Sequence, residues 1–285
     1  MGAHDLDGKT VLLTGATKGI GLVAAREIAR TGAALVLVAR DAARGQATVE
    51  DVRVETGNDR VELITADLSV QAEVRRAAAE FRARHQRLDV LVNNAGAIFA
   101  ARETTADGLE ATFALNHLSY FLLTSLLLDL LKASAPARVV SVASGAHHSG
   151  HVDFDDLGRA RGYSPIGAYG QSKLCNVLFT YELARRLEGT RVTANCLHPG
   201  FVRTGFGHNR PGLLSLAVYV GSLFAISPEA GARTTVFLAT DPSVEGTSGK
   251  YFYKCRPARS SRESHDPAVA RRLWEESERL VAGGA

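Results

Sequence analysis

Short apolar runs recur along the chain, and between them lie longer stretches in which apolar positions return every three or four residues. The runs at Thr10–Thr14, Ala34–Ala39, Val61–Thr65, Val90–Asn93, Arg138–Val142 and Val192–Cys196 predict strands, and Lys250–Tyr253 is a weaker candidate. They are apolar almost throughout rather than alternating, which suits a sheet covered on both faces. Leu22–Thr31, Val70–Arg84, Leu109–Leu131 and Tyr169–Leu187 predict amphipathic helices. Strand and helix alternate along the chain, with no repeat and no low-complexity linker. The pattern predicts a single-domain α/β fold: a doubly wound sheet of about seven parallel strands with helices on both faces. Ligands of such sheets lie beyond the carboxyl ends of the strands.

Composition narrows the class. The chain has 285 residues, 46% hydrophobic and 22% charged, enough for a sizeable core. Its formal charge of +3 is spread along the chain. A nucleic-acid partner is therefore not expected, because such a partner needs a clustered basic face. Cys175, Cys196 and Cys255 are widely spaced, with no zinc-ligand spacing and no disulfide framework, and read as reduced thiols of a cytoplasmic protein. The opening "MGAHDLDGKT" has no apolar core of the signal-peptide kind. The most apolar stretch, Leu213–Ile226, is too short and too interrupted by glycine for a transmembrane span, although contact with a membrane surface stays open.

Chemistry first enters at "TGATKGIG", directly after the first strand. Gly15 suits a tight exit from the strand. Gly19 would let a diphosphate approach the helix N-terminus, where free N–H groups and the helix dipole favour negative charge. Gly21 would let the helix pack closely on the strand. The spacing departs from G-x-G-x-x-G, yet it supports the same dinucleotide-binding physics of a Rossmann fold. At the end of the second strand Ala39 stands where NAD-binding folds often carry an acidic residue for the ribose 2′-hydroxyl. Arg40 follows, and its guanidinium, with Lys18, suits a 2′-phosphate. These cations point to NADP(H). The competing reading leaves Arg40 in solvent and gives a plain ribose to Asp41.

Tyr169 and Lys173 are four residues apart on a predicted helix and share one face. A phenol titrates near 10, and a neighbouring ammonium lowers that value, so the pair suits acid/base chemistry at a carbonyl. Ser144 ends a strand and either bonds a substrate oxygen or merely serves a turn. "VLVNNAG" and "ITADL" end two more strands in polar groups. Asn116, in the apolar context "TFALNHLSYFLL", is a buried amide that needs partners or holds a water.

In "TGATKGIG", Asp67-Leu68, "NNAG", Asn116-His117, "SVASG", "YGQSK" and "HPGFVRT", in that order over about residues 8–255, the chain resembles the short-chain dehydrogenases/reductases. "TADGLEATFALNHLSYFLLT", "KLCNVLFTYELARRLEGT", "SGKYF" and the long spacer between Ser144 and Tyr169 resemble its retinol dehydrogenase branch. The resemblance implies that Tyr169 exchanges the proton, Lys173 lowers its pKa and bonds the nicotinamide ribose, Ser144 polarises the carbonyl and Asn116 positions a relay water. It places Gly15, Lys18, Gly19, Ile20 and Gly21 around the phosphates and Asp67 and Leu68 beside the adenine. Asn94, Ala95 and Gly96 line the adenosine ribose side, and Pro199, Gly200, Val202 and Thr204 the nicotinamide. The branch's membrane-bound members carry an apolar N-terminal anchor, which this sequence lacks. His147 and His148 read as loop or pocket-wall residues.

The resemblance implies that the segment of about 201–227 covers the substrate, and Phe206, Leu213, Leu214, Leu216, Val218, Tyr219 and Phe224 would make that cover apolar; the competing reading buries these residues in the core or an oligomer interface. An apolar cover favours a hydrophobic aldehyde, ketone or alcohol. Family dimers pair the two long helices that hold Asn116 and Tyr169, so a homodimer or homotetramer is implied. A final helix around Glu275–Leu280 would bury Leu273, Trp274 and Leu280. Two other readings compete with an NADP-dependent oxidoreductase. One is a non-catalytic NADP-binding sensor, which loss of the tyrosine or lysine would favour. The other is an isomerase or dehydratase, which needs a larger C-terminal substrate region.

Overall fold

A computed structural model of the chain describes residues 5–200 and 226–282. Eight strands form one sheet in the order β3-β2-β1-β4-β5-β6-β7-β8. The strands are β1 (Thr10–Thr14), β2 (Ala34–Ala39), β3 (Val61–Thr65), β4 (Val90–Asn93), β5 (Ala137–Val142), β6 (Val192–His198), β7 (Lys250–Tyr253) and β8 (Arg256–Pro257). All pairings are parallel except the short β7–β8 hairpin. That hairpin, unpredicted because β8 has only two residues, turns through Lys254 and Cys255, both at positive φ. The order reverses between β1 and β4, and a crevice opens at such a switch point.

The helices are α1 (Gly19–Ala29), α2 (Ala42–Thr56), α3 (Gln71–Arg84), α4 (Ala111–Ala133), α5 (Pro165–Arg186), α6 (Pro228–Thr240) and α7 (Pro267–Ala282). Side chains alternate across each strand. Val11 and Leu13 of β1 pack in the layer with α1, α2 and α6. Leu12 packs in the opposite layer with α3, α4, α5 and α7. This two-sided burial explains why the strands read as continuous apolar runs.

Several boundaries differ from the sequence reading. Helix α5 starts four residues earlier than expected, at Pro165, with Ser164 as its N-cap, so Tyr169 and Lys173 sit inside the helix rather than at its start. Strand β6 runs on to His198 because Leu197 and His198 still pair with Phe252 and Tyr253. Helix α2 escaped the periodicity because Val49 and Val52 are its only large buried apolar residues.

Helix α4 is the one helix among the described residues long and apolar enough to cross a membrane, and most of it is buried in the core. Helix α7 lies along α5. Its Trp274 stacks on Phe179 (5.9 Å) and meets the edge of Phe121 (4.9 Å), while the Arg186 guanidinium covers it at 4.3 Å. Gln71 and Arg75 of α3 bond the carbonyls of Leu280 and Val281. As predicted, Leu273 and Trp274 are buried, and Leu280 packs against the same cluster. Helix α7 thus covers part of the surface formed by α4 and α5.

Candidate active site

The glycine turn joins β1 to α1. Gly15 has φ +71°, and a Cβ there would lie 2.7 Å from Ala95 Cα. A Cβ on Gly21 would collide with the Gly15 carbonyl oxygen, so α1 can start this close to the strand only without side chains. Gly19 has φ +56°. The N-cap of α1 is Lys18, which offers no capping side chain, and no acid sits in the first turn. The first N–H groups of α1 and its dipole therefore face outward uncapped, beside an exposed lysine. Ile20 packs against the core below. This cradle fits a dinucleotide diphosphate.

Thr14 and Asn94 hold the turn in place. The Thr14 Oγ1 accepts from the backbone N–H of Asn94 (2.9 Å) and Ala95 (3.0 Å). The Asn94 amide donates to the carbonyls of Thr14 (2.8 Å) and Gly15 (3.0 Å). Asn94, expected beside the ribose, therefore spends its side-chain N–H groups on the turn itself. Thr14 escaped the sequence reading because a lone threonine at a strand end carries no signal.

At the end of β2, Ala39 is buried and Arg40 is 76% exposed, 3.7 Å from an Asp67 carboxylate oxygen. Asp41 caps α2, accepting from the Arg44 N–H at 3.0 Å, so one of its oxygens is committed away from a ribose. Asp67 also accepts from the N–H and hydroxyl of Ser69. Leu68 is buried beside it at 6% exposure.

Asn116 lies in a π-helical turn, Ala114–Leu118, inside α4. Such turns insert one residue and re-aim side chains. The Asn116 amide donates to the Ala97 carbonyl (2.9 Å) and Ser172 Oγ (3.0 Å), and its oxygen accepts from the Ala97 N–H (2.9 Å). Its side chain is therefore a tether between α4, α5 and the loop after β4, with only one lone pair left for the expected water. A Cβ on Gly96 would stand 3.1 Å from Asn116 Oδ1 and 3.4 Å from Lys173 Nζ. The neighbouring His117 is fully buried, and its Nε2 lies 3.0 Å from Ser277 Oγ of α7.

Ser144, Tyr169 and Lys173 come together beyond β5. The turn Gly145–Ser149 packs backbone to backbone on α5, since a Cβ on Gly150 would collide with the Gly170 carbonyl oxygen. That approach brings Ser144 beside Tyr169. The Ser144 Oγ accepts from the Ala146 N–H at 3.2 Å, leaving its own proton free to be donated. Burial raises the Tyr169 pKa above the usual phenol value, and the Ser144 hydroxyl offsets part of that rise.

Lys173 is 3% exposed, donates to the Val142 carbonyl at 3.0 Å, and holds its ammonium 5.6 Å from the centres of the Tyr169 and Tyr120 rings. Burial pulls its own pKa down to about 7. In this structure burial outweighs the Ser144 hydroxyl, so the phenol pKa stands above its usual value.

Pro199 and Gly200 follow β6, and Gly200, at φ +98°, packs against Ile226. Val202, Thr204 and residues 201–225 of the expected substrate cover lie outside the described residues. His198 accepts from the Gly145 N–H at 3.0 Å and stacks on Tyr253. His147 is no pocket wall; it is 0% exposed.

Residues 9–211 match the family described as short chain dehydrogenase. The chain is 45% identical to retinol dehydrogenase 13 of Homo sapiens, over 97% of this chain and 85% of that protein. It is 43% identical to retinol dehydrogenase 14 of Mus musculus, over 97% and 86%. It superposes on an uncharacterised protein of Mycobacterium paratuberculosis with a TM-score of 0.81 at 35% identity, covering 99% of this chain and 96% of that one. The Pseudomonas aeruginosa RhlG/NADP active-site complex superposes with a TM-score of 0.68 at 28% identity, covering 88% and 97%.

Proposed function

The chain belongs to the short-chain dehydrogenase family and is an oxidoreductase that uses a nicotinamide cofactor; from that premise we propose that it is NADP(H)-dependent and interconverts a lipophilic aldehyde or ketone with its alcohol. The bound dinucleotide supplies or receives the hydride. Tyr169 gives its phenolic proton to the carbonyl oxygen as the carbon is reduced, and takes it back in the reverse direction. Ser144, whose oxygen already accepts from the Ala146 N–H, donates a hydrogen bond to the same substrate oxygen, keeping its own proton, and stabilises the charge that develops there. Lys173 sets an ammonium near the phenol as it loses its proton.

What carries this reading is the meeting of Ser144, Tyr169 and Lys173 at the carboxyl end of β5, beside a glycine cradle that fits a diphosphate. The preference for NADP(H) is supported by the Arg40 guanidinium directly after the buried Ala39 at the end of β2, and by one Asp41 oxygen being committed to the α2 cap. The solved relative RhlG is itself described as an NADP complex. A lipophilic substrate is favoured by the apolar residues of 201–227 and by relatives named retinol dehydrogenases.

The test is a panel of aldehydes and ketones, retinal among them, with NADPH or NADH, followed at the nicotinamide absorbance. NADPH oxidation with apolar carbonyls is expected. Nucleotide binding without turnover of any member would instead favour a sensor.

A further inference from the structure

Directly beneath Ser144 lies His147, whose ring is held by two partners. Its Nδ1 is 2.6 Å from the Ser144 carbonyl oxygen, and its Nε2 is 3.1 Å from the backbone N–H of Ser261. A carbonyl oxygen can only accept, and a backbone N–H can only donate. The ring is therefore neutral, with its proton on Nδ1 and its lone pair on Nε2. Burial agrees, pulling the imidazole pKa down to about 4. His148 (4.0 Å between ring centres) and Tyr251 (4.8 Å) flank the ring. The same Ser144 carbonyl also accepts from the His147 backbone N–H at 3.1 Å.

Ser261 belongs to the segment between β8 and α7, and that segment is fixed in turn. Tyr181 of α5 bonds Ser260 Oγ at 2.8 Å, and Ser264 Oγ donates to the Ser261 carbonyl at 2.6 Å. A chain of bonds thus runs from the C-terminal segment through one imidazole to the backbone of the residue whose hydroxyl faces Tyr169.

We propose that His147 is a positioning residue: its Nδ1–H holds the Ser144 backbone so that the hydroxyl meets substrate oxygen and phenol together, and the Ser261 N–H selects the tautomer that can do so. The proposal rests on the oxidoreductase reading above. An orienting partner of this kind acts on turnover through placement, where an error of about 1 Å can cost roughly 100-fold.

Three substitutions separate the two bonds. His147→Phe keeps the bulk and loses both. His147→Asn keeps a donor near the place of Nδ1, and His147→Gln keeps an acceptor near the place of Nε2. With a substrate from the panel, Phe and Gln should lower kcat about 10- to 100-fold, while Asn retains most of it and NADPH affinity measured by fluorescence titration is unchanged. Ser144→Ala combined with His147→Phe should be no worse than Ser144→Ala alone, because both changes remove one device. Additive losses, or Asn falling as far as Gln, would overturn the proposal.

If the Phe variant does not fold, the Asn–Gln comparison still decides. Independently of turnover, nitrogen-15 NMR of the wild-type imidazoles should show His147 in the Nδ1–H form at neutral pH. An Nε2–H ring or an imidazolium would sink the proposal and leave the oxidoreductase reading standing. Failure of the whole substrate panel would do the reverse.

Discussion

At the scale of single residues the site separates groups that exchange protons from groups that hold them. Tyr169→Phe removes the phenolic proton and little else, so turnover should vanish while NADPH titration stays near the wild-type curve. Unchanged turnover would eliminate the phenol as acid/base. Arg40 is 76% exposed and its carboxylate neighbour is 3.7 Å away, a pair of small worth to stability. Arg40→Ala should therefore leave folding alone and raise KM for NADPH far more than for NADH. Equal effects on both would assign the 2′-phosphate elsewhere. Both residues were legible in the sequence, because each sits beside a motif of fixed spacing. Thr14, Ser261 and the tether made by Asn116 were not, since their partners are up to 114 positions away in the chain.

At the scale of elements, the constellation depends on how closely two backbones approach. The turn Gly145–Ser149 rests on α5 at Gly150 and Gly170. Gly150 has φ −76°, so alanine there meets no backbone strain, but its Cβ would collide with the Gly170 carbonyl and press on Leu174 Cβ at 3.1 Å. Gly150→Ala should cost about 1–3 kcal/mol of stability through overpacking, measured by denaturant unfolding. It should also lower kcat more than NADPH affinity, because it moves Ser144 away from Tyr169 and leaves the α1 cradle untouched. A variant with wild-type stability and turnover would show that the contact is slack. The sequence reading found the helix of Tyr169 but not the turn Gly145–Ser149 or its contact with that helix, since nothing in "SGHVD" marks a glycine as touching another helix.

At the scale of the whole molecule, buried imidazoles link stability to pH. Burial pulls the pKa of His117 down to about 3 and those of His147 and His198 to about 4, against roughly 6.5 in an unfolded chain. Below pH 6.5 the unfolded chain binds protons that the folded one refuses, so stability falls as pH drops from about 6.5 to 4. Lys173 acts in the same sense higher up: with its pKa lowered to about 7, its burial costs stability below pH 10.5, and stability recovers as pH rises from about 7. Denaturation midpoints taken from pH 4 to 9 should climb across both windows. A flat line from pH 4 to 6.5 would contradict neutral burial of the histidines. Helix α7 belongs to this scale too, because Ser277 reaches His117 and Trp274 closes the α4/α5 surface.

The sequence by itself determined the alternation of strands and helices, the glycine turn, and the Tyr169–Lys173 spacing. These are local: a period of two or of 3.6 residues and a motif within one turn are written in consecutive positions. Tertiary structure alone decided what each group bonds. It tied Lys173 to the end of β5, spent Asn94 on backbone and Asn116 on Ala97 and Ser172, buried His147 between Ser144 and Ser261, and laid α7 over α4 and α5. Those hydrogen bonds follow from the cost of leaving a buried polar group without a partner, which most such groups avoid. Which partner a group finds depends on strands and helices that meet only once the sheet has formed.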